Sequence, residues 1–256
     1  MRRMEYLYDQ YQTVKQALEC GHSLSDVLAI KEYVQKLMAQ QIAEFLSPAG
    51  TALEVGCGGS LTLHYLSAMG RRCTGVDTDP ECLAYSRLLR RHFKSDVELV
   101  KADARKLPFE DASFEYVYSV GLIEHYQIET QRDICRELAR VSNRYVHIEI
   151  PNPHPLSNFW TVGQASKETH YPCNPGILFK ELGLDLVVVD GRCVFNSLSK
   201  LSLNPPLLNF AVRAGNNSLR ETYSGADVSV LVDAEKSLSR MERLVYGFQL
   251  CWIGKR

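Results

Sequence analysis

The chain has 256 residues, 45% of them hydrophobic and 23% charged, enough to bury a core as one domain, or a domain with an appendage, without a disulfide or metal staple. A formal net charge of −1 argues against a general polyanion binder, and the one dense basic cluster, Arg87, Arg90, Arg91 and Lys94, reads as a solvated helix face. Eight cysteines are scattered without a C-x-x-C pair, the pattern of small buried residues in a reducing compartment. Met1-Arg2-Arg3-Met4 carries the charges of a signal peptide with no apolar core behind it, and no stretch approaches the roughly 18 apolar residues of a membrane span. A cytoplasmic protein with no nucleic-acid partner and no stable membrane insertion is expected.

Taken in chain order, residues 4–20 and 25–46 read as helices, with Gly21 ending the first, Ser23 or Ser25 capping the second and Pro48 following its close. In the second, Val27, Leu28, Ile30, Val34, Leu37, Met38, Ile42 and Phe45 recur at helical spacing. From residue 51 short apolar runs alternate with helices. Strands are expected at 51–55, 72–77, 97–101, 115–120, 144–150, 185–195 and 244–254, and helices at 60–69, 79–93, 129–141 and 175–182. That alternation predicts an α/β fold with a mostly parallel sheet covered on both faces. Pro205-Pro206 and Gly215-Asn216-Asn217-Ser218 interrupt the last crossover, so 196–240 reads as an insertion or cap. The organisation expected is one domain over 1–256: an N-terminal helical lid at 1–48, a core at 51–195, the cap at 196–240 and the final strand at 244–254.

In an open parallel sheet a ligand binds beyond the carboxyl ends of the strands, at the switch in strand order. The first strand ends in Glu54 and breaks into Gly56-Cys57-Gly58-Gly59-Ser60, a turn where backbone can approach a ligand and a helix begins. The second ends in Asp77, followed by Thr78-Asp79-Pro80; a carboxylate there can accept both hydroxyls of a ribose. The alternative for Asp77, a helix N-cap, is filled better by Asp79 before Pro80. The third runs into Asp103-Ala104, where a carboxylate and the next backbone N–H can read an adenine edge, a turn-forming Asp being the alternative. The fourth, from Phe114 to Val120, leads into Gly121-Leu122-Ile123-Glu124-His125-Tyr126.

Leu53-Glu54-Val55-Gly56-Cys57-Gly58, Gly75-Val76-Asp77, Ala102-Asp103-Ala104, Leu107-Pro108-Phe109, and Ser113-Phe114-Glu115-Tyr116-Val117 through Glu124-His125 follow one another in order. Together they resemble class I S-adenosylmethionine-dependent methyltransferases of the small-molecule, methyltransferase type 11-like group, closely over residues 51–150. His170 before a short helix and Tyr246-Gly247-Phe248-Gln249 are looser matches. The resemblance implies a Rossmann-like seven-stranded sheet with an antiparallel last strand. It implies that Gly56, Cys57 and Gly58 cradle the methionine end of S-adenosylmethionine, that Asp77 with Thr78 meets the ribose, and that Asp103 and Ala104 face the adenine. Ser119 or Val120 would lie near the amino-acid moiety, and Glu54 would orient the loop or reach the cofactor's ammonium through water. Ser60 stands where the family often has a third glycine. A nicotinamide fingerprint would need glycine where Leu61 stands.

Methyl transfer from a sulfonium is an in-line displacement needing alignment more than acid–base help. It would leave S-adenosylhomocysteine. His125 is the candidate general base, with a structural role in the loop as the alternative. Tyr8, Tyr11, Tyr126, Phe159, Trp160 and Tyr171 are candidate walls of an acceptor pocket, and 198–212 a candidate apolar cover. His147 and Glu149 share a strand face, but with His154 they form no matching ligand set, so no metal is expected. A small-molecule methyltransferase is the function expected; a cofactor-binding protein without transferase activity and a protein or RNA methyltransferase are the alternatives. The acceptor atom and the oligomeric state are not legible.

Overall fold

A computed structural model describes residues 2–22, 24–152, 173–192, 238–246 and 249–256, with backbone alone described at 2–10, 24–34, 192, 242, 245, 246 and 249. His154, Phe159, Trp160, His170, Tyr171 and nearly all of the expected 196–240 cap lie outside the described residues. Seven strands form one sheet: β1 (Thr51–Val55), β2 (Arg72–Asp77), β3 (Glu98–Lys101), β4 (Phe114–Val120), β5 (Ser142–Pro151), β6 (Asp185–Arg192) and β7 (Gln249–Lys255). Their order is β3-β2-β1-β4-β5-β7-β6, parallel from β3 through β5, with β7 antiparallel to both β5 and β6. The expected Rossmann-like sheet with its antiparallel last strand is thus formed. The chain winds outward from β1 to β3 and returns to β4 on β1's other side, leaving the switch point between β1 and β4.

Residue alternation sorts the core into two layers. Leu53, Val55, Val117, Val146 and Ile148 face α5 (Ile128–Val141) and the helix Pro175–Glu181, which contribute Ile134, Leu138, Leu178 and Phe179. Ala52, Cys73, Tyr116, Tyr118, Cys251 and Ile253 face α2 (Leu24–Phe45) and α3 (Leu61–Ala68), through Met38, Ala39, Ile42, Leu63 and Leu66. Each fully buried aliphatic side chain of this kind contributes about 1.5–3 kcal/mol. In α1 (Arg2–Glu19), Tyr11, Val14 and Leu18 pack on α4 (Pro80–Phe93) at Tyr85 and Leu89. Among the described residues no helix is long and apolar enough to cross a membrane.

One boundary departs from the sequence expectation. Residues 244–246, assigned to the last strand on their apolar character, complete the helix Arg240–Tyr246, and β7 starts at Gln249. Tertiary contacts decide this: Arg243 is ion-paired with Asp190 at 2.8 Å, and Arg240 donates to the Val189 carbonyl at 3.0 Å. Asn152 donates to the Leu244 carbonyl at 3.0 Å. Gly191 of β6 lets the helix approach so closely that a Cβ there would overlap the Arg243 carbonyl.

Candidate functional site

The turn after β1 is held by its neighbour β2. The Gly56 and Cys57 amides both donate to the Val76 carbonyl, at 2.8 and 2.9 Å, with Gly56 at φ 73° and Gly58 at φ 52°. Ser60 is left-handed as well, at φ 54°. It occupies a conformation that glycine adopts without strain, and its hydroxyl is 2.6 Å from that of Ser86 on α4. Gly59 is needed for space, because a Cβ would lie 2.6 Å from the Tyr85 ring.

Asp77 closes the turn. Its carboxylate accepts the Gly58 amide at 2.9 Å on one oxygen and the Asp79 amide at 3.0 Å on the other. Each oxygen retains a lone pair, so a ligand hydroxyl can be accepted beside them. Asp79 caps α4, accepting from the Glu81 amide at 2.9 Å ahead of Pro80. The N-cap role assigned to Asp79 leaves Asp77 facing the site.

Beyond these strand ends lies a cavity of about 300 Å³. Of the sequence-expected cofactor residues, Gly56, Asp77, Thr78, Asp103 and Ala104 line it, and Tyr126 does so from the segment after β4. Leu122, Ile134, Cys82 and Arg105 also line it and were not anticipated. Leu122 and Arg105 follow expected site residues closely in sequence, while Cys82 and Ile134 reach the cavity only through helix packing. Arg105 grips Asp103: its guanidinium reaches both carboxylate oxygens, at 2.6 Å for the shortest contact, and its amide donates at 2.8 Å. This pairing holds the Asp103 carboxyl below its ordinary pKa. The expected adenine contact at Asp103 would therefore share the carboxylate with Arg105.

Glu54, Cys57, Gly58, Ser119 and Val120, also expected at the cofactor, do not line the cavity. Glu54 is buried beneath the turn and accepts the Tyr118 hydroxyl at 3.0 Å; burial pushes its pKa up to about 8, with Asp77 and Glu149 adding to the rise. Burial likewise raises the Cys57 thiol. The Ser119 hydroxyl is buried with no hydrogen-bond partner among the described residues. His125 lies on the short 3-10 turn Ile123–His125, its Nε2 3.8 Å from Glu124. It does not line the cavity. Tyr11 also lies away from it, its ring 5.9 Å from that of Tyr85. The side chain of Tyr8 and all of Trp160 and Tyr171 lie outside the described residues.

The Leu107-Pro108-Phe109 segment is fastened to α5. Glu137 accepts the Leu107 amide at 2.8 Å, and Arg140 donates to the Leu107 and Phe109 carbonyls at 3.0 and 2.8 Å. This tie positions α5, and Ile134 with it, against the cavity.

Comparison with known proteins gives a consistent result. Residues 53–145 match the family model described as a methyltransferase domain. The chain is 32% identical over 93 residues to ajmaline N-methyltransferase of Rauvolfia serpentina, covering 35% of this chain and 31% of that protein. It is 32% identical over 102 residues to fatty-acid O-methyltransferase of Mycolicibacterium smegmatis, covering 39% and 36%. The matched segment thus spans about a third of each of these curated relatives. Among solved structures, a SAM-dependent methyltransferase from Archaeoglobus fulgidus superposes with a TM-score of 0.57 at 19% identity, over 86% of this chain and 92% of that one. That likeness extends the shared fold well beyond the matched segment.

Proposed function

We propose that this protein, whose residues 53–145 match the methyltransferase-domain family model, is a class I S-adenosylmethionine-dependent methyltransferase that binds S-adenosylmethionine and transfers its methyl group to a small-molecule acceptor. The observation that carries the reading is the cavity at the β1–β4 switch point, where Gly56, Asp77, Asp103 and Ala104 converge. In this reading Asp77 accepts the ribose hydroxyls while holding the glycine turn, and Asp103 and Ala104 take the adenine edge. The turn and Glu54 serve the methionine end, beside Ser119 and Val120 of β4. The two curated relatives are named for an N- and an O-methyl transfer, which supports a small acceptor without fixing its atom. We place the protein in the cytoplasm on its scattered cysteine pattern.

The bound cofactor would supply an already activated methyl group. The chain's part is then to align an acceptor in a pocket sheltered from water. Tyr126 and Leu122 supply cavity wall at the β4 exit, and the N-terminal helices are the proposed lid. His125 is the side chain offered for proton removal where the acceptor needs it.

The test is transfer of a labelled methyl group from S-adenosylmethionine into a fractionated small-molecule extract. Label in a low-mass product supports the reading. Tight cofactor binding with no transfer to any fraction would favour a binding protein, and label in protein or RNA would favour a macromolecular acceptor.

A further inference from the structure

The sheet face covered by α2 and α3 carries a polar cluster that methyl transfer does not use. His147 and Glu149 project from β5, and Cys251 is the β7 residue paired across from Glu149. All three are fully buried. His147 Nε2 lies 3.2 Å from Glu149 Oε2 and 3.2 Å from Cys251 Sγ, and the three ligand atoms lie within 4.8 Å of one another. None of them lines the cavity described above.

We propose that His147, Glu149 and Cys251 form a binding site for a divalent cation of the zinc class. The chemistry rests on three points. First, imidazole, carboxylate and thiolate are the donors Zn2+ takes, and its usual bond lengths in a tetrahedron put neighbouring ligand atoms about 3.4–3.6 Å apart. The two spacings from His147 Nε2 fall a few tenths of an ångström inside that edge. Second, both close contacts fall on one ring nitrogen, while Nδ1 is 3.1 Å from the Tyr116 hydroxyl. A nucleophilic triad would split thiol and carboxylate between the two nitrogens. A metal-bound histidine instead turns one nitrogen to the ion and fixes the other by an outer hydrogen bond, the place Tyr116 fills. Third, the described buried residues include the carboxylates Glu54, Glu124 and Glu149 but no lysine or arginine. A divalent cation supplies positive charge where the buried described residues have no lysine or arginine to do so.

The site would tie β7 to β5 across the antiparallel join, with one tetrahedral position left to a fourth donor. The full-length protein, purified without chelator, is assayed for metal by mass spectrometry, then stripped and titrated with Co2+. About one equivalent of retained Zn2+ is expected, with a thiolate-to-cobalt charge-transfer band and the visible bands of tetrahedral cobalt. Cys251→Ser should abolish the charge-transfer band and weaken metal retention at least tenfold. Tyr116→Phe keeps all three ligands and should lower affinity roughly ten- to hundredfold. Folding of each variant is checked by circular dichroism. No retained metal and no cobalt spectrum in the folded wild-type protein would overturn the proposal, as would a charge-transfer band unchanged in Cys251→Ser.

Discussion

At the β1–β2–β3 end of the sheet, Asp77 and Asp103 stand partly exposed at strand termini, held by backbone amides and by Arg105 around a cavity open to solvent. At the β5–β7 join, His147, Glu149 and Cys251 are fully buried and face one another. Tyr118 spans the two, donating to Glu54 and lying 6.1 Å from the His147 ring in a stacked arrangement. Polar groups at a strand's end can be shared with a ligand, because water and amides satisfy them meanwhile. Those within a strand must find their partners inside the protein.

Substitutions should divide along the same line. Asp77→Ala removes a charged acceptor from two amides and, in the proposed function, from the ribose. S-adenosylmethionine affinity should fall roughly ten- to hundredfold by calorimetric titration, as expected for losing hydrogen bonds to a charged group worth about 1.5–3 kcal/mol. Gly191→Ala at the far end should instead leave that affinity unchanged and lower stability. The added Cβ would collide with backbone of the Arg240–Tyr246 helix, a cost of about 1–3 kcal/mol measurable by denaturant unfolding. Equal effects of both substitutions on affinity would contradict this division of roles.

Glu54 sharpens it. Its folded pKa of about 8 lies above its ordinary value of 4.5, so the folded state holds the proton longer and stability declines as pH rises between those values. The slope from this group is about 1.4 kcal/mol per pH unit. Glu54→Gln should flatten the fall in unfolding free energy between pH 6 and 8; an unchanged slope would remove Glu54 as its source.

His64 behaves oppositely. Buried against Phe93, with ring centroids 5.5 Å apart, its pKa is lowered from 6.5 to about 4. Its stabilising contribution is complete above pH 6.5 and is lost as pH falls toward 4. His64→Gln should reduce acid destabilisation between pH 6.5 and 5 by about 1–2 kcal/mol, read from thermal unfolding at the two pH values. The smallest effect belongs to Ser60→Gly. Relief of a left-handed backbone is offset by loss of the Ser60–Ser86 hydrogen bond, so stability should change by less than about 0.5 kcal/mol.

The sequence announces the cavity end because its chemistry is local. Glu54 to Ser60, Asp77 and Asp103 each follow an apolar run directly, so the strand ends can be read one at a time. The far end is not local. His147 and Glu149 are visible as a pair on one strand face, but Cys251 reaches them only because β7 inserts antiparallel between β5 and β6. The helix at Arg240–Tyr246 was hidden for a related reason: Leu244 and Val245 look like strand residues until Arg243 finds Asp190. Ser60 shows a third case, where the family resemblance points to glycine and serine takes its place with its hydroxyl hydrogen-bonded to Ser86 of α4.

The ligand of the β1–β4 switch point decides what the protein does. Mass spectrometry of whatever the purified protein retains, followed by calorimetric titration of S-adenosylmethionine and of a nicotinamide dinucleotide, tests it directly. Retained S-adenosylmethionine or S-adenosylhomocysteine, with binding in the micromolar range or tighter, is the expected result. Preference for the nicotinamide dinucleotide, or no measurable binding of S-adenosylmethionine, would contradict it.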